Sequence, residues 1–130
     1  MSLRRAAERP ILVVDDDPTI LATVCEALDL EGFPVITATN GAEALDEVAR
    51  YQPSLVLLDM RMPVLDGWGF MHAIRERGLT LSVVVMTAAA DAGRWGREIG
   101  AQAVLAKPFE LDELIGAVER LWQPRPCSQA

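Results

Sequence analysis

The stretch Ile11-Leu12-Val13-Val14-Asp15-Asp16-Asp17-Pro18 decides how the rest of the chain reads. An unbroken run of four apolar residues is what a strand covered on both faces of a parallel sheet shows. Asp17-Pro18 is a helix start, an acceptor side chain followed by a residue whose fixed φ suits the first turn. Asp15 and Asp16 stand between the two, at the carboxyl end of the strand. Two adjacent acids there exceed what a cap requires.

Four further apolar runs follow, at 35–38, 55–58, 81–86 and 103–106. Helix-period segments separate them. Ile20, Leu21, Val24, Cys25 and Leu28 form one apolar stripe, closed at Gly32. Asn40-Gly41-Ala42-Glu43 starts a second helix, with Glu43 at the capping-box position. Asp66 caps a third, which carries Phe70, Met71 and Ile74 and ends at Gly78. A fourth is weak, crowded by Gly93, Gly96 and Gly100. The fifth carries Leu111, Leu114, Ile115, Val118, Leu121 and Trp122 and is stopped by Pro124. Strand and helix alternating five times predict an α/β fold, an open doubly wound five-stranded parallel sheet with right-handed crossovers. Residues 1–9 read as an N-terminal extension, 10–122 as one domain, and 123–130 as a tail or linker remnant.

Composition narrows the function. The formal net charge of −7 over 130 residues speaks against a nucleic-acid face, which is basic. Every apolar run is far shorter than the roughly 20 residues of a spanning helix, and none resembles a signal-peptide core. The chain is expected in the cytoplasm, off the membrane. Cys25 and Cys127 are too few for a disulfide framework. Of twelve basic residues eleven are Arg, and Lys107 is the only lysine.

The residues that close each strand carry the chemistry. Run one ends in three acids, run three in Asp59, run four in Thr87, run five in Lys107-Pro108. In an open parallel sheet the carboxyl ends of the strands form the binding crevice. Clustered carboxylates repel unless a cation sits among them, and hard oxygen donors suit Mg²⁺. An ammonium and a hydroxyl opposite such a cluster suit a phosphoryl group in transfer, and an Asp can itself be the nucleophile.

Four stretches also resemble a known family: 11–18 as quoted, 58–67 (Leu-Asp-Met-Arg-Met-Pro-Val-Leu-Asp-Gly), 85–88 (Val-Met-Thr-Ala) and 106–109 (Ala-Lys-Pro-Phe). In this order and spacing they are similar to bacterial two-component response-regulator receiver domains across residues 10–122. The resemblance implies a flavodoxin-like fold with strand order 2-1-3-4-5 and five helices, and a signalling switch rather than a metabolic enzyme. It implies that a histidine kinase or phosphotransfer protein phosphorylates Asp59, the chain catalysing its own phosphorylation and dephosphorylation. It places Mg²⁺ on Asp15, Asp16, Asp59 and the backbone carbonyl of Arg61. Thr87 and Lys107, with Ala88 beside them, would contact the phosphoryl oxygens, and the Lys107–Pro108 bond would be cis. The partners implied downstream are a protein or a linked output domain, with dimerisation on phosphorylation and no direct contact with nucleic acid.

Two departures from the family pattern stand out. Val104 occupies the position of a switch aromatic, so no ring is there to turn inward behind Thr87. Arg61 and Ala89 fill the variable positions that tune phosphoryl lifetime. The alternatives are a haloacid-dehalogenase-type phosphatase, from Asp15-x-Asp17-x-Thr19, and a pseudo-receiver that only binds a partner. No acidic pair follows run four to complete the former, and the intact set of five argues against the latter. His72 reads as a partly exposed helix residue, Cys25 as core and Cys127 as a free thiol. Trp122 is open between packing and a partner anchor, and Trp95 reads as an exposed contact.

Overall fold

Alternate residues of a strand point to opposite faces, so an apolar run of four needs two covering layers. Both are present. In a computed structural model describing residues 9–62, 64–88 and 100–122, five strands form one parallel sheet in the order β2-β1-β3-β4-β5. The elements run β1 (Ile11–Val14), α1 (Pro18–Leu30), β2 (Val35–Ala38), α2 (Gly41–Tyr51), β3 (Leu55–Asp59), α3 (Gly67–Glu76), β4 (Ser82–Ala88), β5 (Ala103–Lys107) and α4 (Leu111–Leu121). Four helices are seen among the described residues. The weak helical segment expected around Gly93 and Gly96 lies outside them, as do Pro63, Ala89, Trp95, Cys127 and both chain ends.

The sheet divides the core by strand parity. Leu12, Val14, Val56, Leu58, Val83 and Val85 face α2 and α3, where they meet Ala44, Val48, Phe70, Met71 and Ile74. Ile11, Val13, Leu55, Leu57, Val84 and Met86 face α1 and α4, where they meet Val24, Leu28, Leu114, Ala117 and Val118. Val104 packs partly buried against the first of these layers.

Helix ends follow the sequence closely. Asp17, Asn40 and Asp66 are N-caps, accepting from the backbone N–H of Thr19, Glu43 and Gly69 at 2.9 Å each. Gly32 and Gly78 sit at positive φ just beyond α1 and α3. Two readings need correction. Glu43 does not close a capping box on Asn40; its Oε1 accepts from Thr39 N and Oγ1 at 2.7 and 2.8 Å, which draws its pKa down. The box forms instead at α4, between Glu110 and Glu113. Cys25 is only half-buried, at the edge of the core, and burial pushes its thiol pKa up. His72 is exposed on α3, 3.5 Å from Glu76, and Trp122 is packed rather than free. Among the described residues no helix is long and apolar enough to cross a membrane.

Candidate functional site

The strands are longer than their apolar runs. Asp59, Thr87 and Lys107 were expected just after β3, β4 and β5; each is inside its strand, because backbone pairing continues past the last apolar residue. The register pairs Asp59 with Met86, Thr87 with Ala106, and Ala88 with Lys107. Each strand from β3 to β5 thus offers its polar residue at the same edge of the sheet, on rigid backbone rather than on a free loop.

Asp15 follows β1 directly, tied by its N–H to the Ala38 carbonyl at 3.1 Å. Its carboxylate is fully buried. Oδ1 accepts from Asp17 N at 3.0 Å, and Oδ2 accepts from Lys107 Nζ at 2.8 Å. The same ammonium lies 3.7 Å from Asp59 Oδ1. Arg61 N donates to that Oδ1 at 3.3 Å. Carboxylate oxygens of Asp15, Asp16 and Asp59 all fall within 4.8 Å of one another, Asp16 being the exposed member.

One cation among three acids leaves negative charge uncompensated, and Asp59 carries the consequence. Its pKa is pushed up to about 6, first by burial and then by the neighbouring Asp15 charge; Lys107 and the Arg61 N–H pull it back, and Asp16 adds a smaller rise. Desolvation and a like charge both disfavour the ionised form. A divalent cation with oxygen preference would reverse both effects, and every donor here is a hard oxygen. The acid set therefore fits Mg²⁺ by number, charge and chemistry.

Beside the acids opens a cavity of about 620 Å³ whose lining includes Asp59, Arg61, Thr87, Ala88 and Lys107. Thr87 is buried and Arg61 exposed at the rim. The rest of its lining was not foreseen: Thr19, Ile20, Thr23 and Val24 of α1, with Pro108, Phe109 and Leu111 beyond β5. Its only sequence signal is the i, i+4 pairing of Thr19 with Thr23 and of Ile20 with Val24. The expected cis bond at Lys107–Pro108 is present.

Known proteins share this fold and much of this sequence. The response regulator receiver domain family matches residues 11–119. Transcriptional regulatory protein PrrA of Mycobacterium tuberculosis is 42% identical over 117 residues, 88% of this chain and 50% of that protein. Sporulation initiation phosphotransferase F of Bacillus subtilis is 38% identical over 112 residues, 85% of this chain and 90% of that one. The chain thus spans about half the length of the mycobacterial relative and nearly all of the Bacillus one. Among solved structures, the Francisella response regulator 1452 receiver domain superposes with a TM-score of 0.80 at 29% identity, covering 87% of this chain and 95% of that one. Chemotaxis response regulator CheY4 of Vibrio cholerae gives 0.79 at 28%, covering 88% and 98%. The family match runs from β1 into α4 and takes in the acids, the threonine and the lysine alike, so the chain belongs to the response regulator receiver domains of two-component signalling.

Proposed function

We propose that a histidine kinase or histidine phosphotransfer protein delivers a phosphoryl group to Asp59, with Mg²⁺ held by Asp15, Asp16, Asp59 and the Arg61 carbonyl. The observation that carries this reading is the burial of Asp59 among two other carboxylates with a single ammonium 3.7 Å away. Bound Mg²⁺ supplies the charge that neutralises the acids and the developing phosphoryl charge. A carboxylate oxygen of Asp59 attacks phosphorus, the P–N bond of the donor phosphohistidine breaks, and its imidazole leaves after taking a proton. Lys107, already at the cluster, holds one phosphoryl oxygen; Thr87 and Ala88 meet another. Dephosphorylation is a separate hydrolysis: water attacks phosphorus, the P–O bond to Asp59 breaks, inorganic phosphate leaves with the carboxylate regenerated, and Arg61 at the rim limits the water's approach.

Residues 10–122 are the working unit of this reading, with 1–9 an N-terminal extension and 123–130 a tail or linker remnant. The phosphorylated form acts through a protein surface around β5 and α4, on a downstream partner, a second copy or a linked domain. Val104 takes no part as a rotating ring. The chain works in the cytoplasm without binding nucleic acid itself. Intact mass after incubation with Mg²⁺ and a small phosphodonor tests the site: wild type gains one phosphoryl group, Asp59→Ala gains none, and chelation slows the reaction severely. A phosphorylated Asp59→Ala protein would overturn the assignment.

A further inference from the structure

Among the described residues of the β3–α3 connection, one leaves ordinary backbone. Val64 sits at φ +69°, a left-handed conformation that β-branched residues rarely adopt. Its side chain is 81% exposed, so packing of that side chain does not hold it there. Strain of this kind persists only where neighbours over-determine it. The neighbour here is Leu65.

Leu65 is keyed between the first turns of two helices. Its carbonyl accepts from the N–H of Gly41, the first residue of α2, at 2.8 Å. A Cβ on Gly41 would stand 2.5 Å from that same oxygen. On the other side, a Cβ on Gly69 of α3 would collide with Leu65 Cδ1. Gly67 closes the loop: its N–H donates to the Met60 carbonyl at 3.1 Å, and a Cβ there would lie 2.5 Å from Met60 Sδ and 3.2 Å from the Asp59 carbonyl. None of the three has positive φ; at Gly41 and Gly67 backbone atoms stand in the way and glycine is a requirement of space, while at Gly69 the obstacle is the end of the Leu65 side chain.

We infer that the Gly41–Leu65–Gly69 key is a positioning device for the metal site. The N-terminus of α2 gives no side chain to the acid cluster, yet through Leu65 it holds the short connection after β3 on which Arg61 stands. Ligand groups tolerate only about 0.5 Å of misplacement. A displaced Leu65 therefore moves the Arg61 carbonyl and loosens the site. This inference rests on the Mg²⁺ reading above, and Gly41, Leu65 and Gly69 are positioning residues that touch neither metal nor phosphoryl group.

Calorimetric Mg²⁺ titration of the full chain tests it, with the melting temperature of the metal-free protein recorded alongside. Gly41→Ala weakens Mg²⁺ binding by about tenfold or more, the usual cost of disturbing an outer support. Gly69→Ala weakens it as well. Adding Leu65→Ala to Gly69→Ala restores part of the affinity, because the Cδ1 and Cγ that the new methyl meets are gone. Gly116→Ala on α4, where a Cβ meets open space, leaves the affinity unchanged. Wild-type affinity in Gly41→Ala and Gly69→Ala overturns the inference, and so does a double variant no better than Gly69→Ala. Should Gly41→Ala fail to fold, the Gly69 pair decides, since its clash is with the end of a flexible side chain. A wild-type chain that binds no Mg²⁺, or an Asp15→Asn chain that binds it undiminished, overturns the metal reading and this inference with it.

Discussion

The two edges of the sheet are built on opposite principles. Where β1, β2 and β3 begin, the chain is stapled. Arg9 Nε donates to the Gln52 carbonyl at 2.8 Å and its guanidinium to the Pro53 carbonyl at 3.1 Å, while Trp122 Nε1 donates to the Arg9 carbonyl at 2.9 Å. The Trp122 ring meets Phe33 edge-on, 5.0 Å between centroids. Ser54 Oγ is the exception among the described residues, buried with no hydrogen-bond partner. Where the strands end, three carboxylates crowd one ammonium and Val64 holds a strained backbone. The first edge supplies stability and the second spends it on the acid cluster proposed to hold Mg²⁺. Such local frustration is expected where function overrides packing.

The largest expected effect tests the stapled edge. Trp122→Ala loses a half-buried aromatic, its edge-to-face partner and a hydrogen bond from α4 to the start of β1. Unfolding free energy should fall by about 3 kcal/mol. Mg²⁺ affinity should not change, because nothing at the acid cluster has moved. Denaturant melts with and without Mg²⁺ read both quantities. A Trp122→Ala protein of unchanged stability but weakened Mg²⁺ binding would show that the two edges are not separate.

Lys107 tests the other edge. Removing one charged contact to a phosphoryl group in transfer costs about a hundredfold in rate, so Lys107→Ala should be phosphorylated on that order more slowly. Lys107→Arg should not recover it, since a planar fork cannot replace a compact charge seated 2.8 Å from Asp15. Mg²⁺ should bind Lys107→Ala at least as tightly as wild type, the competing cation having gone. Equal phosphorylation kinetics in wild type and Lys107→Arg would make the lysine incidental.

Asp59 sharpens the comparison through pH. Its folded pKa of about 6 lies above the unfolded value of 3.8, so the folded state binds the proton more tightly. Stability of the metal-free protein is therefore lost as pH rises from about 4 to about 6, and is restored on acidification from 7 towards 5. Asp59→Asn removes the charge and should raise stability at pH 7 by about 2 kcal/mol while flattening that pH dependence. In wild type, Mg²⁺ affinity should fall below pH 6 as the proton competes for the carboxylate. Melts of wild type and Asp59→Asn at pH 5 and 7 without metal check the sign; a destabilised Asp59→Asn would remove the claim that this edge is under electrostatic tension.

The two edges were unequally legible in the sequence. The apolar runs gave the strands, and the polar residues closing them gave Asp15, Asp59, Thr87 and Lys107, because a fully buried strand must be apolar until it reaches the functional edge. The same logic set the ends of β3, β4 and β5 too early, since hydrogen-bond pairing does not stop where hydrophobicity does. Contacts between segments far apart in the chain stayed hidden: Trp122 against Phe33, Lys107 on Asp15 rather than on Asp59 alone, and Leu65 wedged at Gly41. Gly41 read as part of a helix start, and only the approach of Leu65 shows why no side chain fits there. The raised pKa of Asp59 likewise depends on burial and on a partner 44 positions away in sequence.

Val64 gives the smallest effect and the finest test of whether the strand-end edge stores strain. At φ +69° a β-branched residue costs about 1–2 kcal/mol relative to the ordinary right-handed or extended regions. Glycine takes that conformation freely, but it widens the unfolded ensemble at a cost of about 0.4–1 kcal/mol. No burial is lost, since the side chain is 81% exposed. Val64→Gly should therefore raise stability by a net of about 0–1.5 kcal/mol. Val64→Asn, which tolerates the left-handed region with a smaller entropic penalty, should gain at least as much. At a position of ordinary backbone the same glycine substitution would destabilise, so the sign is diagnostic. A clear loss of stability in both variants would mean that Val64 sits without strain and that the tension of this edge is electrostatic alone.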